Sequence, residues 1–518
     1  MRLAAIDVGS NSLHMVIADV SADGRIEVVD RVKEMVRLGR SAFITGHLTP
    51  EAMNLATSTL TTFGRLARAR HVERLRVVAT SAVREARNGA AFVRRLRRQT
   101  GLPVRVISGA EEARLIYRAA RYALGLDGGP YLLVDVGGGS VELVLVQDGR
   151  ALWLRSLPLG AARLSEQFLL HDPPRPAEVR QLEKHLRRAM GDVLADARRA
   201  GVVRAIGTSG TVTTLVAMAR AVRGEPIERL HGAVVRARDV TRVRRRVLAV
   251  GAVRRADLPG MDAKRVDLIP AAAILLDVIH RRTGAPELAA CTWALREGLL
   301  LDLARPHIEP ARSTARVRRG SVEALAQRFA GPNAHGRQVA RLALALFDAA
   351  AVGLGLRPSA AELLEYAALL HDVGHVVDRG RHHRHSCYVV RNAELLGFDP
   401  VEVEIIAQTV RGHRKQAPRP TDPELRALPA AARRSVRGLA ALLRIADALD
   451  RSRFGVVKRL EAVLRPARLV VTVDPGEENA DLELWAAERR VDLLARLLDR
   501  PVVFRAGSVR ATRRAAQA

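Results

Sequence analysis

Two short stretches of this chain run an apolar strand into an aspartate and then into a turn of small residues. The first is Ala4-Ala5-Ile6-Asp7-Val8-Gly9-Ser10-Asn11-Ser12, and the second is Leu132-Leu133-Val134-Asp135-Val136-Gly137-Gly138-Gly139-Ser140. Apolar strand character resumes after each, over 13–18 and 141–146. Such turns expose backbone N–H groups with no side chain in the way, so phosphate oxygens can approach closely. An aspartate at the strand end is placed to hold a divalent cation, usually through water. Two of these loops facing one another would grip a phosphate chain from both sides. A third loop, Gly207-Thr208-Ser209-Gly210-Thr211, follows a strand and precedes an apolar helical stretch. A helix N-terminus with free N–H groups favours anions. The glycines can also be read as plain tight turns, but that reading leaves the aspartates in otherwise apolar strands unexplained.

Other residues can join this chemistry, each with a simpler alternative. Glu142 is the one charge in the run 141–146, near its loop end. It points either into the cleft of Asp135 or to a solvated strand face. Ser108 and Glu111 fit a capping box, with the serine capping and the glutamate reaching back. That leaves Glu112 free either to take a proton from water or to act as an ordinary first-turn acid. Arg84, in Ala79-Thr80-Ser81-Ala82-Val83-Arg84-Glu85-Ala86, matches phosphate oxygens with a bidentate fork. A separate cluster lies downstream. His335, His371, His375, His382, His383, His385 and His413 crowd one segment of a chain with 15 histidines. His371-Asp372 ends an apolar helix, and Asp447 falls on the apolar side of another. An inward carboxylate needs a partner, and metal is one candidate. The order His335, His371-Asp372, Asp447 matches the ligands of HD-type phosphohydrolases. Histidines that satisfy one another or bind an anion are the alternative.

Composition bounds the partners. The formal charge of +29 suggests an anionic ligand. Lysine is confined to Lys33, Lys184, Lys264, Lys415 and Lys458 while arginine is everywhere, so a coding bias inflates the basicity. Aromatics are 3%, too few to build base-stacking platforms, so phosphate-rich ligands are favoured over specific nucleic acid. Cys291 and Cys387 form no disulfide framework. No membrane span or signal peptide is expected, and a cytoplasmic location follows.

The elements that must position these residues repeat. Strands are expected at 3–8, 13–20, 26–33, 75–80 and 103–107, with helices at 50–69 and 88–99. After the turn cluster 125–130 the order starts again: strand, glycine loop, strand, then 153–157, a helix at 177–200 and a strand at 202–206. Strands alternating with helices argue for an α/β fold, and the repeat for a duplicated lobe. Past residue 305 the pattern turns helical, after a basic, proline-marked linker at 306–319. Helices are expected at 322–329, 338–352, 360–371 and 436–449, with an exposed loop at 414–434. A mixed end follows, with strands at 468–473 and 501–505, a helix near 489–498 and a frayed tail after 508. The expected domains are 1–125, 126–305, a helical domain at 306–455, and a small α+β region at 456–518.

Taken together, the motifs of Asp7, Thr80-Arg84, Glu111-Glu112-Ala113-Arg114, Asp135-Glu142, Gly207-Thr211 and Leu295-Arg296-Glu297-Gly298-Leu299 resemble the Ppx/GppA phosphatases. These are exopolyphosphatases and guanosine pentaphosphate phosphohydrolases, whose longer members continue into an HD-like helical domain. The resemblance implies an actin-like fold of two ribonuclease-H-like lobes around a cleft. It implies hydrolysis of a terminal phosphoanhydride with Mg²⁺, Glu112 serving as base and Asp135 and Glu142 holding the metal. Asp7, Arg84 and the three loops would bind phosphates. The expected substrate is inorganic polyphosphate, with guanosine pentaphosphate as the alternative. A non-catalytic sensor of either ligand is a further reading, as is activity centred on the HD-like domain with its own divalent metal. A homodimer, and lobe closure hinged near 120–130 and 295–305, also follow from the resemblance. Pro270 departs from it, standing where the family tends to have glycine.

Overall fold

The computed structural model describes residues 1–21, 26–40, 42–304, 313–331 and 333–508. β1 (Arg2–Val8), β2 (Ser12–Val20), β3 (Ile26–Met35), β4 (Arg74–Ala79) and β5 (Val104–Val106) form a sheet in the order β3-β2-β1-β4-β5. β1, β2 and β3 are an antiparallel meander, and β4 and β5 add parallel to β1. Parallel strands need a crossover, and the helices Pro50–Ala69 and Gly89–Thr100 supply the two. The first of these helices starts where Thr49 accepts from the Ala52 N–H and Pro50 takes the first turn, where its missing N–H costs nothing.

β6 (Tyr131–Val136), β7 (Val141–Gln147), β8 (Arg150–Leu157), β9 (Arg204–Thr208), β10 (Val234–Arg236) and β11 (Glu287–Ala290) form the second sheet. Its order is β10-β11-β9-β6-β7-β8. From β8 to β11 the chain follows the path taken from β3 to β5, and β10 adds one antiparallel edge strand. This is a ribonuclease-H-like lobe used twice, the actin-like fold. Each central strand is buried on both faces: Leu3, Ala4, Ala5 and Ile6 in β1, and Leu132 to Val134 in β6. Both therefore read as apolar runs in which an aspartate stands out. The helix Leu295–Leu303 returns from the second lobe to pack on the helix Gly109–Leu124 and on β1. Its Asp302 pairs with both Arg76 and Arg118.

Residues 318–508 form a separate compact unit. The helices Ala334–Ala350, Ala360–Leu370, His382–Asn392, Pro400–Gly412 and Ala430–Ala448 share one core with a small sheet. That sheet is β12 (Arg459–Leu464), β13 (Leu469–Asp474) and β14 (Val502–Ala506), in sequence order. Leu346, Leu364, Ile406 and Leu443 meet Val471 and Leu494 in that core.

Several local expectations shift. The helix expected at 177–200 is two, Pro176–Ala189 and Gly191–Arg199, broken at Met190 with φ −113°. Helix Thr314–Ala330 occupies the end of the expected linker, whose residues 306–312 lie outside the described ones. Its prolines precede the helix, and none falls inside it. In the expected loop at 414–434, Pro423 and Pro429 sit at the starts of the helices Pro423–Arg426 and Ala430–Ala448. Proline here opens helices rather than excluding them. Pro270 likewise sits in the first turn of Ile269–Thr283 and disturbs no hydrogen bond there. The tail after 508 lies outside the described residues.

Candidate active site

The strand-end aspartates and their loops converge on one open cleft. Asp7, Gly9, Ser10, Asn11 and Ser12 line it from one lobe. Asp135, Gly137, Gly138, Gly139, Ser140, Ser209, Gly210 and Thr211 line it from the other, with Glu112 between. Both aspartate loops close with the same bond, from the Gly9 N–H to the Ser12 carbonyl (3.2 Å) and from the Gly137 N–H to the Ser140 carbonyl (3.0 Å). The loops meet: a Cβ added at Gly138 would lie 3.1 Å from the Ser10 Cβ. Their carbonyls are tied up from behind. The N–H groups of Gly39 and Arg37 donate to the Ser10 and Asn11 carbonyls. Those of Gly160, Ala161 and Ala162 donate to Gly139, Gly137 and Gly138. With their carbonyls satisfied, the loops keep their amide donors for an anion.

The third loop is held differently. Ser209 opens the helix Ser209–Val222 at φ +76°, the left-handed region that non-glycine residues occupy at a cost of about 1–2 kcal/mol. Gly207 is packed under Val212 and Leu288, where a Cβ would clash. Gly210 makes room for the Arg265 guanidinium, which donates to Thr211 Oγ1 at 3.1 Å. Gly207 and Thr208 stand behind the wall rather than on it.

The acidic groups form a graded set. Asp135 lies directly opposite Glu142 in the β6–β7 ladder, which puts both carboxylates on one face. Asp135 accepts from Thr208 Oγ1 at 2.5 Å, and Glu142 accepts from Ser156 Oγ at 2.8 Å. Glu142 is 2% exposed, just behind the cleft wall. Burial pushes the Asp135 carboxyl up, and burial with the neighbouring Glu112 and Asp135 charges pushes Glu142 up further. Ser108 caps Gly109–Leu124 by accepting from the Glu111 N–H. The reciprocal arm is absent, because Glu111 pairs with Arg105 instead. Glu112 turns inward, and Arg84 Nη1 binds its Oε2 at 3.0 Å while also donating to the Ile107 carbonyl. Burial raises the Glu112 carboxyl to about 8 despite Arg84, and raises Asp7 to about 7 despite Arg296. Asp7 Oδ1 is buried without a partner. Four crowded carboxyls, one with an orphaned oxygen, suit a bound cation.

Three further residues on the wall carried no assigned role in the sequence: His14, Arg265 and Arg296. His14 stands opposite Asp7 in the β1–β2 ladder, as Glu142 stands opposite Asp135. Arg296 Nη1 donates to His14 Nδ1, so Nε2 carries the proton and donates to Ser12 Oγ at 2.7 Å. Burial and Arg296 hold His14 neutral. Arg296 falls in the motif Leu295-Arg296-Glu297-Gly298-Leu299, but among so many arginines a single one gives no signal.

Comparison with known proteins follows the same division. The profile of the Ppx/GppA phosphatase family matches residues 16–307, and that of Ppx/GppA phosphatase domain III matches 317–475. The chain belongs to the Ppx/GppA phosphatase family. Exopolyphosphatase 2 of Mycobacterium tuberculosis is 35% identical over 315 residues, 58% of this chain and 98% of that protein. Among solved structures, an exopolyphosphatase from Cytophaga hutchinsonii superposes with a TM-score of 0.56 at 28% identity. It covers 59% of this chain and 98% of its own. The Aquifex aeolicus member of the Ppx/GppA family gives 0.52 at 29% identity, over 59% and 98%. The family therefore extends over both lobes and into the C-terminal unit.

In that unit His335, His371, Asp372 and Asp447 come together. Asp447 Oδ1 lies 3.4 Å from His335 Nε2 and 3.5 Å from His371 Nε2. Asp372 Oδ1 lies 3.5 Å from His371 Nε2. Among the described residues no helix is long and apolar enough to cross a membrane.

Proposed function

We propose that this chain is an exopolyphosphatase that removes terminal phosphate from inorganic polyphosphate, assisted by Mg²⁺. The observation that carries the substrate is the lining of the cleft. Its polar wall is glycine, hydroxyl, carboxylate and guanidinium, with no phenylalanine, tyrosine or tryptophan among the described lining residues to stack a guanine base. A repeating phosphate chain needs only N–H and guanidinium donors, and the loops, Arg265 and Arg296 supply them. The 35% identity to a protein named an exopolyphosphatase supports the same reading.

Asp135 and Glu142 fit a magnesium ion by charge and by their shared face. The metal would neutralise the charge that gathers on the phosphoryl and leaving oxygens. Thr208, Ser140 and Ser156 orient its two carboxylates. Glu112 accepts the proton of the attacking water. A base raised to about 8 is strong enough to take that proton near neutral pH, and Arg84 fixes its direction. The loop amides and the two arginines hold the non-reacting oxygens. The same chemistry would serve guanosine pentaphosphate, so phosphate release from both substrates at matched terminus concentration is the deciding assay. Magnesium-dependent release from polyphosphate well above that from the nucleotide is expected. Preference for the nucleotide, or no release from either, overturns the proposal.

A further inference from the structure

One short helix of the first lobe, Ser81–Glu85, is tied to every wall of the cleft. The Ala82 N–H donates to Ser10 Oγ at 3.2 Å, which joins the helix to the loop after Asp7. Arg84 holds Glu112. Ser81, itself on the cleft wall, donates its hydroxyl proton to Glu85 Oε1 at 2.6 Å. Glu85 Oε2 then accepts from Arg163, which belongs to the helix Ala161–Phe168 of the second lobe.

Arg163 is 9% exposed and is held on three sides. Its Nε donates to the Gly139 carbonyl at 2.9 Å, its Nη2 to Glu85, and its guanidinium carbon lies 4.2 Å from the centre of the Phe43 ring. Glu85 and Phe43 both come from the first lobe. Among the described residues, Arg163 bonds within its own lobe to that one carbonyl. Its counter-charge therefore comes from across the cleft, and parting the lobes would leave a buried guanidinium without one. Gly139 makes the seam possible, because a Cβ there would collide with Ser81 Oγ and the Phe43 ring. Phe43, Glu85 and Arg163 are not among the described residues that line the cleft, so they touch no substrate. What they set is the peptide that joins Gly139 to Ser140. Its carbonyl takes both the Gly160 N–H and Arg163, and charge drawn onto that oxygen makes the Ser140 N–H a stronger donor. Ser140 is on the wall.

We infer that Arg163 is a positioning residue for phosphate: clasped by Glu85, it fastens the two lobes together and holds the Gly137–Ser140 loop ready to bind. Loop and base then share one anchor, since Arg84 and Glu85 are neighbours on a single helix. The clasp sets how many molecules are ready before the ligand arrives, and leaves the chemistry of the bound state alone. Apparent affinity falls with the fraction of molecules that are competent, while a saturating ligand recruits the rest. Loss of the clasp therefore raises KM and spares kcat. The kinetic side of this inference rests on polyphosphate as the substrate; the clasp itself does not.

The test uses full-length protein carrying Arg163→Met, which keeps an apolar stem on Phe43, or Glu85→Ala, or both. Each single change should raise KM for polyphosphate about 10-fold, with kcat within about threefold of wild type. Glu85→Ala should add nothing further once Arg163→Met is present. A second measurement needs no turnover. Spin labels on Ser58→Cys and Lys184→Cys, exposed sites on opposite lobes, report the separation of the lobes by double electron–electron resonance, and the native Cys291 and Cys387 are buried. The labelled protein should give one narrow distance distribution, and adding Arg163→Met should broaden it toward longer distances. An unchanged KM in both single variants, an equal effect of Glu85→Ala in both backgrounds, or a distance distribution indifferent to Arg163→Met overturns the inference. A wild type that releases no phosphate overturns the polyphosphate reading instead, and the distance measurement still decides the clasp.

Discussion

At Gly160 one added methyl group would press on the back of the Gly137–Gly139 loop that lines the cleft. Its φ of −67° is open to any residue, so alanine there meets no backbone strain. The obstacle is contact: a Cβ would press on the Gly138 carbonyl carbon and oxygen and on the Gly139 carbonyl carbon. Ordinary contact begins at 3.4 Å, and the overlap is about 1 Å against all three. These are backbone atoms of a loop already held by the Gly160, Ala161 and Ala162 N–H groups, so no flexible side chain can yield. The loop itself must move by about that distance. Overpacking costs about 1–3 kcal/mol of stability, and a reacting group misplaced by ~1 Å costs on the order of 10²-fold in rate. Gly160→Ala should therefore fold, with a lowered urea midpoint, and release phosphate from long-chain polyphosphate roughly 10²-fold more slowly. Gly191→Ala is the control, since a Cβ there meets nothing within 4 Å at the start of a helix. A folded Gly160→Ala protein with a kcat within threefold of wild type would show that the loop does not position phosphate.

Three other expectations separate the roles of the site. Glu112→Gln keeps the size of the side chain but not its basicity, so kcat should fall by about 10²–10⁴-fold with KM within a few-fold; undiminished turnover would remove Glu112 as the base. Thr208→Val removes the hydroxyl that aims Asp135, and the magnesium concentration for half-maximal rate should rise about 10-fold or more, the usual loss for an orienting partner. An unchanged magnesium titration would place the metal elsewhere. His280 is buried with Nδ1 on the Ala285 carbonyl and Nε2 unpartnered, and burial lowers its pKa below the ordinary 6.5. Above pH 6.5 it is neutral whether folded or unfolded and adds no pH dependence. Below 6.5 the unfolded chain takes up a proton that the fold refuses, so stability falls by up to about 1.4 kcal/mol per pH unit. Urea midpoints between pH 7.5 and 5.5 should fall less for His280→Asn than for wild type, and parallel slopes would count against it.

The parts of the site legible in the sequence are those set by a few consecutive residues. An aspartate in a buried strand followed by glycine and serine is a local pattern, and it appeared twice. Ser108 fixed the start of its helix, and that start turned Glu112 inward. What stayed hidden depends on distance along the chain. His14 faces Asp7 through strand register, while Arg265 and Arg296 arrive from segments more than 100 residues from the loops of Asp7 and Asp135. In a chain whose basic residues are nearly all arginine, no single one stands out by type. His382 and His413 were visible as histidines but not as a facing pair, because that pairing needs two helix ends to meet. The start of the helix Thr314–Ala330, ahead of the helix expected from 322, was hidden for another reason, since a dense run of arginines reads as solvated linker until Val317 is seen buried.

The duplicated lobe also explains how one hairpin serves two chemistries. In both copies an aspartate ends the first strand, and one residue of the second strand lies directly across from it. In the second copy that residue is Glu142, so two carboxylates share a face, and burial with the charges of Glu112 and Asp135 raises the proton affinity of Glu142. In the first copy it is His14, held neutral and spent on Ser12 and Arg296. Arg296 thereby stands beside Asp7 and brings positive charge to the side that lacks a second carboxylate. The repeat fixes the backbone of both loops, and the residue across each ladder divides the cleft into a carboxylate side and a guanidinium side. On the proposed reading, a phosphate chain end entering between them would meet both: carboxylates that would hold a cation where charge builds, and a fixed donor where the remaining oxygens must be held.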